Sequence, residues 1–596
     1  MEVLLEDQRV TIQGPLLEQP QTPFGAIFGS GEQKRSDLSL ARHYAFEGFS
    51  GGLGIERVVE QLGQSDRFAD QEGINTIKGS EFMLETEQQA AVVLAAGVTP
   101  TSIAMEFKEA FLVVGSDNKV YRYASGAFTA VDTPPQAPTD MIIFEQLGVE
   151  YAVVAYSNGT TSGMMYSTDG ITFTDVSDNG TFLAIFDNKL IVYDDTTGNN
   201  YIRSTASITS PVWTNVVTNT QGDARALTIF RDQEGQPSVW YSTSLGLFQI
   251  DYANSRSHFV YDYTSTPYDN NGKHMIEYNG QLHFPMGQEL LAISPQGSVI
   301  STGPDRGDGI INSNHGNRIT NIITLQNFLV ICNTNGSDKS AILINPGAGW
   351  HIHAAGNTGG DFLLHETSSG TRPRLWFANG SSAPEYQEFN DQSERKIPFN
   401  GQTFEASGTL ITPWITLGFP EFPKTIFSIV ISGRDFTDSE YMLVEYQSDY
   451  RDEEQEWSTL GRTTGIEARH EMFFDGGAGL QVTACRLRIT AYRGTIKSKS
   501  PIGDAIILKY LPQPEDRLSW ILTIPLYRDS LAGKNASQTI AWLRALKASS
   551  RERNIKFTPG PSKSEDGEFF VQITNGPIIS RSESAGTANI TIAVPI

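Results

Sequence analysis

Cysteine is nearly absent: Cys332 and Cys485 are the only two in 596 residues. They fall in different parts of the chain, so no disulfide between them is expected, which favours folding in a reducing compartment. Basic residues are scarce too. Lys and Arg total 44 against 68 Asp and Glu, a formal net charge of −24. A phosphate backbone needs a basic face, so this balance argues against a nucleic-acid partner and favours solubility. No apolar run approaches the ~18 residues of a membrane span. The first residues, MEVLLEDQRVTIQGP, carry neither a basic n-region nor an apolar h-region and do not read as a signal peptide. Charged residues are only 19%, while aromatics reach 10%; a disordered chain would show the opposite bias.

Catalytic signatures are missing as well. FEGFSGGLG (46–54) is Gly-rich but lacks the Gly-Lys-Ser/Thr ending of a phosphate loop, so a Gly-rich turn or interface arm is expected there. No Gly-x-Ser-x-Gly elbow and no His-Glu-x-x-His occurs. His351 and His353 form one His-x-His; on a strand both would point to one face and could share a metal, or simply pack near Trp350. Asp269-Asn-Asn-Gly and Asp305-Arg-Gly-Asp-Gly offer oxygen ligands in turns without EF-hand spacing, and read as hairpin turns. The acidic run 449–456 reads as a solvated loop. Two carboxylates could still meet from distant segments, as a glycosidase requires, but the acidic residues are too many to name a pair. No catalytic residue, cofactor or metal is assigned, and the chain is not expected to be an enzyme.

What the sequence holds in quantity is short strands. Residues 1–80 show weak periodicity, and 1–99 are expected to form an extended N-terminal arm with a few strands. From 100 to 395 apolar runs alternate with turn residues. AFLVVGSDNKVYRYASGAFTAV (110–131) holds three such runs, and TFLAIFDNKLIVYDD (181–195) two, joined at Asp187-Asn188. HMIEYNGQLHFPMG (274–287) turns at Asn279-Gly280, a strong hairpin signal. Units starting at Ser102, Thr139, Asn179, Asp223, Asn271, Arg318 and Asp361 are 37 to 48 residues apart. That is close to the ~40–50 residues of a four-stranded propeller blade. The expected fold is mainly β: a divergent β-propeller of about seven blades, with six or eight blades, or tandem small sandwiches, as alternatives. Tyr166-Ser-Thr, Arg203-Ser-Thr and Tyr241-Ser-Thr fall at similar places in successive units. In YSTDGITFT (166–174), Ser167, Asp169, Gly170 and Thr172 suit a tight turn closed by side-chain-to-backbone hydrogen bonds, with Phe173 free to enter the layer between blades. The stretch resembles a one-residue-shorter Asp-box turn of sialidase-like propellers.

Residues 396–512 read as a β-sandwich of jelly-roll or galactose-binding-like texture. The alternation in Arg486-Leu-Arg-Ile-Thr fits one buried and one wet face. Residues 513–596 read as a small α+β domain. Its helix over 537–547 is capped by Ser537 or Asn535 and carries Ile540, Leu543 and Leu546 as an apolar stripe.

GFSGGLGIERV (48–58), SGTLITPWITLGFPEFPK (407–424) running to YQSDYRDEEQEWSTLG (446–461), and SPIGDAIILKYLPQPEDRLSWILTIPL (500–526) carry a resemblance. Together they resemble the propeller-bearing structural proteins of tailed-bacteriophage virions: tail nozzle, tail-tip or minor tail proteins. The resemblance implies a non-enzymatic structural protein, assembled in the host cytoplasm and located in the virion tail. Its partners would be ring neighbours in the tail or connector, or further copies of itself. Two other readings stay open. In one, the sandwich binds a host surface glycan, with Trp414 and Trp457 as stacking platforms, although core packing is the readier account of both tryptophans. In the other, the propeller is a glycosidase.

Overall fold

The computed structural model describes residues 42–54, 66–304, 318–388, 403–448 and 456–512 apart from short breaks, with segments inside 2–21, 517–526, 535–550, 555–558, 569–581 and 586–593. Two compact units divide the chain. One gathers Met1–Arg42, Glu421–Thr425 and Tyr510–Ile596; the other holds His43–Pro420 and Ile426–Lys509.

Seven four-stranded antiparallel sheets build a β-propeller in the second unit. Blade 1 comprises Pro100–Phe107, Ala110–Gly115, Val120–Ala124 and Ala127–Asp132, and blade 2 comprises Pro138–Gln146, Val149–Ser157, Ser162–Ser167 and Thr174–Val176. Blades 3 to 6 open with Phe182–Phe186, Ala224–Arg231, Ile276–Tyr278 and Arg318–Leu325, close to the starts expected from the period. The expected start Asp361 lies outside the described residues; blade 7 opens with Leu364–Thr367. That strand meets Pro100–Phe107 and closes the ring. The outermost strand of blade 7 is Gln89–Ala90, from the N-terminal side of the propeller, paired with Glu385–Glu388.

A blade sheet has two apolar faces, and each needs a neighbour. The core accordingly sits between blades. Met105, Phe107 and Leu112 of blade 1 pack with Ala152 of blade 2, and Phe173 closes the same layer. Ile191, Tyr193 and Ile202 of blade 3 pack with Leu227, Val239 and Tyr241 of blade 4. Cys332 lies in the layer with Leu375 and Phe377. Both cysteines are buried thiols, not joined in a disulfide.

Between first and second strands, blades 1, 2, 3 and 5 turn through two residues of positive φ: Lys108-Glu109, Leu147-Gly148, Asp187-Asn188 and Asn279-Gly280. Such turns match the strand twist. Asn, Asp and Gly tolerate that backbone; Leu147, at φ 53°, does not share the tolerance, nor do Lys108 and Glu109, at φ 47° and 60°.

Polar side chains tie blade to blade. Blade 2 has a bulge between Pro138 and Asp140. There Asp140 accepts N–H bonds from Met141 and, in blade 3, from Leu183, both at 2.8 Å. Burial pushes the Asp140 carboxyl up to about 7, against the two N–H donors, which favour the anion. Its folded pKa exceeds the unfolded value of 3.8, so its contribution is complete below that value and is lost as pH rises through about 7. Asp140→Asn retains one acceptor instead of two. It is expected to lower stability near pH 4 by roughly 1–3 kcal/mol and to flatten the decline towards neutrality, which urea unfolding across that range measures.

The sandwich consists of two sheets. One orders Ser458–Arg462, Tyr441–Gln447, Arg486–Tyr492, Ser407–Ile411 and Asp70–Glu72; the other is built on Arg469–Phe473, Lys424–Arg434, Ile502–Pro512, Phe82–Leu84 and Ile74–Asn75. Leu410, Met442, Val444, Leu487 and Ile489 of the first sheet are buried, as are Ile429, Ile431, Ile506 and Leu508 of the second. Arg486–Tyr492 alternates half-buried and buried along its length.

Residues 1–99, expected as an extended arm, supply strands throughout. Glu2–Leu5, Gln8–Thr11 and Leu17–Gln21 join the terminal sheet; Arg42–Phe46, Asp70–Glu72, Ile74–Asn75 and Phe82–Leu84 join the sandwich; Gln89–Ala90 joins blade 7. These strands are two to five residues long, too short for periodicity to register. The Gly-rich stretch explains itself sterically. Leu53 N–H donates to Trp350 O at 2.7 Å, and a Cβ on Gly52 would lie 2.4 Å from that oxygen. Gly52 also has φ +71°. Gly52→Ala is therefore expected to cost more than about 1 kcal/mol, read as a shifted denaturation midpoint at unchanged m-value.

In the other unit, Gln8–Thr11, Glu2–Leu5, Ile555–Thr558, Phe569–Arg581, Gly586–Ala593, Arg517–Pro525 and Leu17–Gln21 form one sheet in that order. Helix Ala536–Ser550 packs on Phe569–Arg581. Asn535 and Gln538 cap it reciprocally: Gln538 N–H donates to Asn535 Oδ1 at 2.9 Å, and Asn535 N–H to Gln538 Oε1 at 3.0 Å. Thr539, Leu543 and Leu546 form its buried stripe.

Candidate functional site

The turn in YSTDGITFT joins the third and fourth strands of blade 2. Ser167 Oγ accepts from Gly170 N–H at 2.9 Å, and Asp169 Oδ1 accepts from Ile171 and Thr172 N–H at 2.8 and 2.9 Å. These two N–H donors, with Ser167 Oγ, hold the Asp169 carboxyl below the usual range. Gly170 supplies φ +69°, and Thr172 takes part through its backbone. All the bonding capacity closes the turn. The echo at Arg203 also ends a third strand, whereas Tyr241-Ser-Thr ends the second strand of blade 4. That echo is a coincidence of spacing, because strand lengths differ between blades.

His351 and His353 lie in the fourth strand of blade 6, and both are buried. Each ring meets a different residue of the segment 70–90. Gln71 Nε2 donates to Ile74 O and Ile352 O, which fixes its Oε1 as an acceptor. Thr76 Oγ1 donates to that oxygen at 2.9 Å, so its 2.6 Å contact with His351 Nδ1 makes this nitrogen the donor. His353 Nδ1 is 3.2 Å from Glu85 Oε2. Glu85 also accepts from Thr86 N–H at 2.8 Å, Asn75 Nδ2 at 3.2 Å and, in blade 7, Gln387 Nε2 at 3.0 Å. Burial pushes the Glu85 carboxyl up, and the His353 ring with these donors outweighs it, leaving the pKa below its usual value. Among the described residues no group of three or more His, Cys, Asp or Glu could hold a metal ion. The pair is part of a polar joint linking the sandwich edge to blades 6 and 7.

Asp269-Asn-Asn-Gly is a joint of the same kind. Asp269 receives Arg318 Nη1 at 2.9 Å, Asn270 Nδ2 donates to Gly287 O and Ile319 O, and Arg225 Nη1 donates to Asn271 O at 2.7 Å. The turn 305–309 and most of the acidic run 449–456 lie outside the described residues.

The sandwich brings Trp414 and Trp457 together. Arg486 Cζ lies 4.9 Å from the Trp414 ring centre and 5.2 Å from that of Trp457, and Arg488 Cζ is 4.7 Å from Trp457. The strand's period of two puts both arginines on one face. The neighbouring strand orients them: Arg488 Nε donates to Glu445 at 2.6 Å, and Arg486 Nε to Gln447 at 2.5 Å. Both tryptophans are half-buried. A guanidinium therefore covers part of each indole where a sugar ring would stack. The sequence named the tryptophans but not Arg486, Arg488, Glu445 and Gln447. Their signal was the alternation of charged and apolar residues, read only as a wet face.

No protein-family model matches the chain. No curated protein matches it either. Among solved structures, virginiamycin B lyase from Staphylococcus aureus, in its selenomethionine form, is 11% identical, with 51% of this chain and 100% of that chain covered and a TM-score of 0.39. YCF48 from Cyanidioschyzon merolae is 12% identical over 51% of this chain and 99% of that chain, with a TM-score of 0.36. YCF48 bound to D1 peptide gives 13%, 52%, 97% and 0.36 in the same order. At these identities the likeness is one of fold alone.

Proposed function

We propose that the chain is a non-enzymatic structural protein of a tailed-phage virion, built into the tail as a nozzle, tail-tip or minor tail component. The observation that supports this reading is the polar joint at Glu85. Buried ionisable side chains that could do chemistry instead fasten the segment 70–90 to blades 6 and 7. The repeated ties at Asp140, Asp269 and Asn270 use polar groups in the same way. Such a body transmits load and presents loops on two propeller faces. Its partners on this reading are ring neighbours in the tail or connector, or further copies of itself. Sedimentation and negative-stain imaging test it: association into a closed ring, or incorporation into particles, supports it, and a strict monomer absent from particles refutes it.

The juxtaposition of Trp414 and Trp457 favours a second reading, in which the sandwich contacts a host surface glycan. Binding on a glycan array, lost in Trp457→Ala with the fold retained, supports it; unchanged binding in that variant refutes it.

A further inference from the structure

Along one propeller face, the hairpins between the first two strands of blades 1, 2 and 3 meet the outer loops of the next blades. Lys108 Nζ donates to Thr168 O, from blade 1 to blade 2. Gln146 reaches from blade 2 to the outer loop of blade 3, donating to Ser207 Oγ at 3.1 Å and accepting from Ile208 N–H at 2.9 Å. Phe186 of blade 3 packs its ring 5.2 Å from Tyr252 of blade 4. These bonds fix hairpins and outer loops into one surface.

Apolar side chains stand out from it. Leu147 is 96% exposed, Val212 81% and Ile171 50%. Leu147 occupies a backbone position that favours Asn or Gly, at φ 53°. Glu145 and Glu150 sit directly opposite each other at the base of this hairpin, and both are exposed. Like charges in that arrangement repel. One hairpin thus combines a leucine that is both strained and bare with a repelling pair, and Leu147, 96% exposed, buries almost nothing in return. Local rules broken without a structural return mark functional positions.

We propose that the Leu147 hairpin is a docking knob for a partner protein, seating against the apolar stripe of an amphipathic helix flanked by Lys or Arg. The charges choose the partner. Glu145 and Glu150 flank the knob, and Glu109 and Asp187 are exposed on the neighbouring hairpin tips. Lys108 is engaged with Thr168, and Lys189 lies 6.0 Å from the Tyr252 ring centre. An anionic membrane or a nucleic acid is repelled, and so is this same acidic face of a second copy. Gln146 holds the tip in place, so little order is lost on docking. The inference rests on this face alone and is independent of the virion reading.

The test uses the full chain and a labelled amphipathic Leu/Lys peptide, followed by fluorescence anisotropy at low and high salt. Leu147→Asn keeps the net charge and suits the turn. It is expected to weaken binding roughly tenfold or more, with the melting temperature unchanged or raised. Glu145→Gln with Glu150→Gln is expected to weaken binding and reduce its salt dependence. Absent binding to the wild type, or equal binding by Leu147→Asn, overturns the proposal. A lowered melting temperature in Leu147→Asn also overturns it, by giving the leucine a role in the fold. Self-association of the wild type that Leu147→Asn abolishes overturns the assigned partner in favour of a second copy.

Discussion

Glu85→Ala is expected to lower the unfolding free energy by several kcal/mol, since each buried donor left unsatisfied costs roughly 1–3 kcal/mol. The carboxylate takes contacts from His353 in blade 6, Gln387 in blade 7, and Asn75 and Thr86 in its own segment. Truncation strands all of these donors at once, at a carboxylate only 2% exposed. Glu85→Gln retains an acceptor oxygen and is expected to lose less. The pH dependence has a definite sign. The folded pKa lies below the ordinary 4.5, so the contribution is present above that value and is lost as pH falls through the folded pKa. Glu85→Gln is therefore expected to flatten the acid limb of the stability curve. Urea titrations from neutral pH to about pH 3 measure both effects, and an unchanged acid limb would count against the carboxylate's role.

The second large effect belongs to the seam that closes the ring. Trp376 of blade 7 is buried, stacks on Phe111 of blade 1 at 4.8 Å, and meets Tyr123 at 5.0 Å and Tyr386 at 4.9 Å. Its Nε1 donates to Thr367 Oγ1 at 3.0 Å. Trp376→Ala opens a cavity between the first and last blades, with an expected loss of about 3–5 kcal/mol. Every other blade interface joins units consecutive in sequence. This one is closed only by packing and by the short strand Gln89–Ala90. Amide exchange should consequently accelerate first in Leu364–Thr367, Arg374–Phe377 and Pro100–Phe107. Uniform acceleration around the ring would contradict that order.

The propeller was legible because its signals are local. Apolar second strands such as AFLVVG and turns such as Asn279-Gly280 recur at blade spacing, and each blade repeats the same local problem. The fate of residues 1–99 was not legible. A two-residue strand such as Gln89–Ala90 has no period, and its partner Glu385–Glu388 lies almost 300 residues away. The glycines at 51 and 52 were visible as punctuation, yet their causes, the approach of the Asp66 and Arg67 side chains to Gly51 and of the Gly349 and Trp350 backbone to Gly52, are tertiary facts. The same holds for His351 and His353. Their spacing allowed a shared ligand but read more readily as plain packing, and neither reading could name their partners Thr76 and Glu85, which come from a distant segment that carries no motif. Trp414 and Trp457 could be picked out as large aromatics, but not the arginines that bracket them. Leu147 carried no signal at all, since an exposed leucine becomes informative only once its backbone and cross-strand neighbours are known.

The most direct test of the structural role is quantitative mass spectrometry of gradient-purified phage particles from cells that produce this chain. The account predicts the protein in the particles at a fixed ratio to the capsid protein, unchanged through repeated purification. A protein abundant in the lysate but missing from the particles, or present at a ratio that falls with each step, would contradict it.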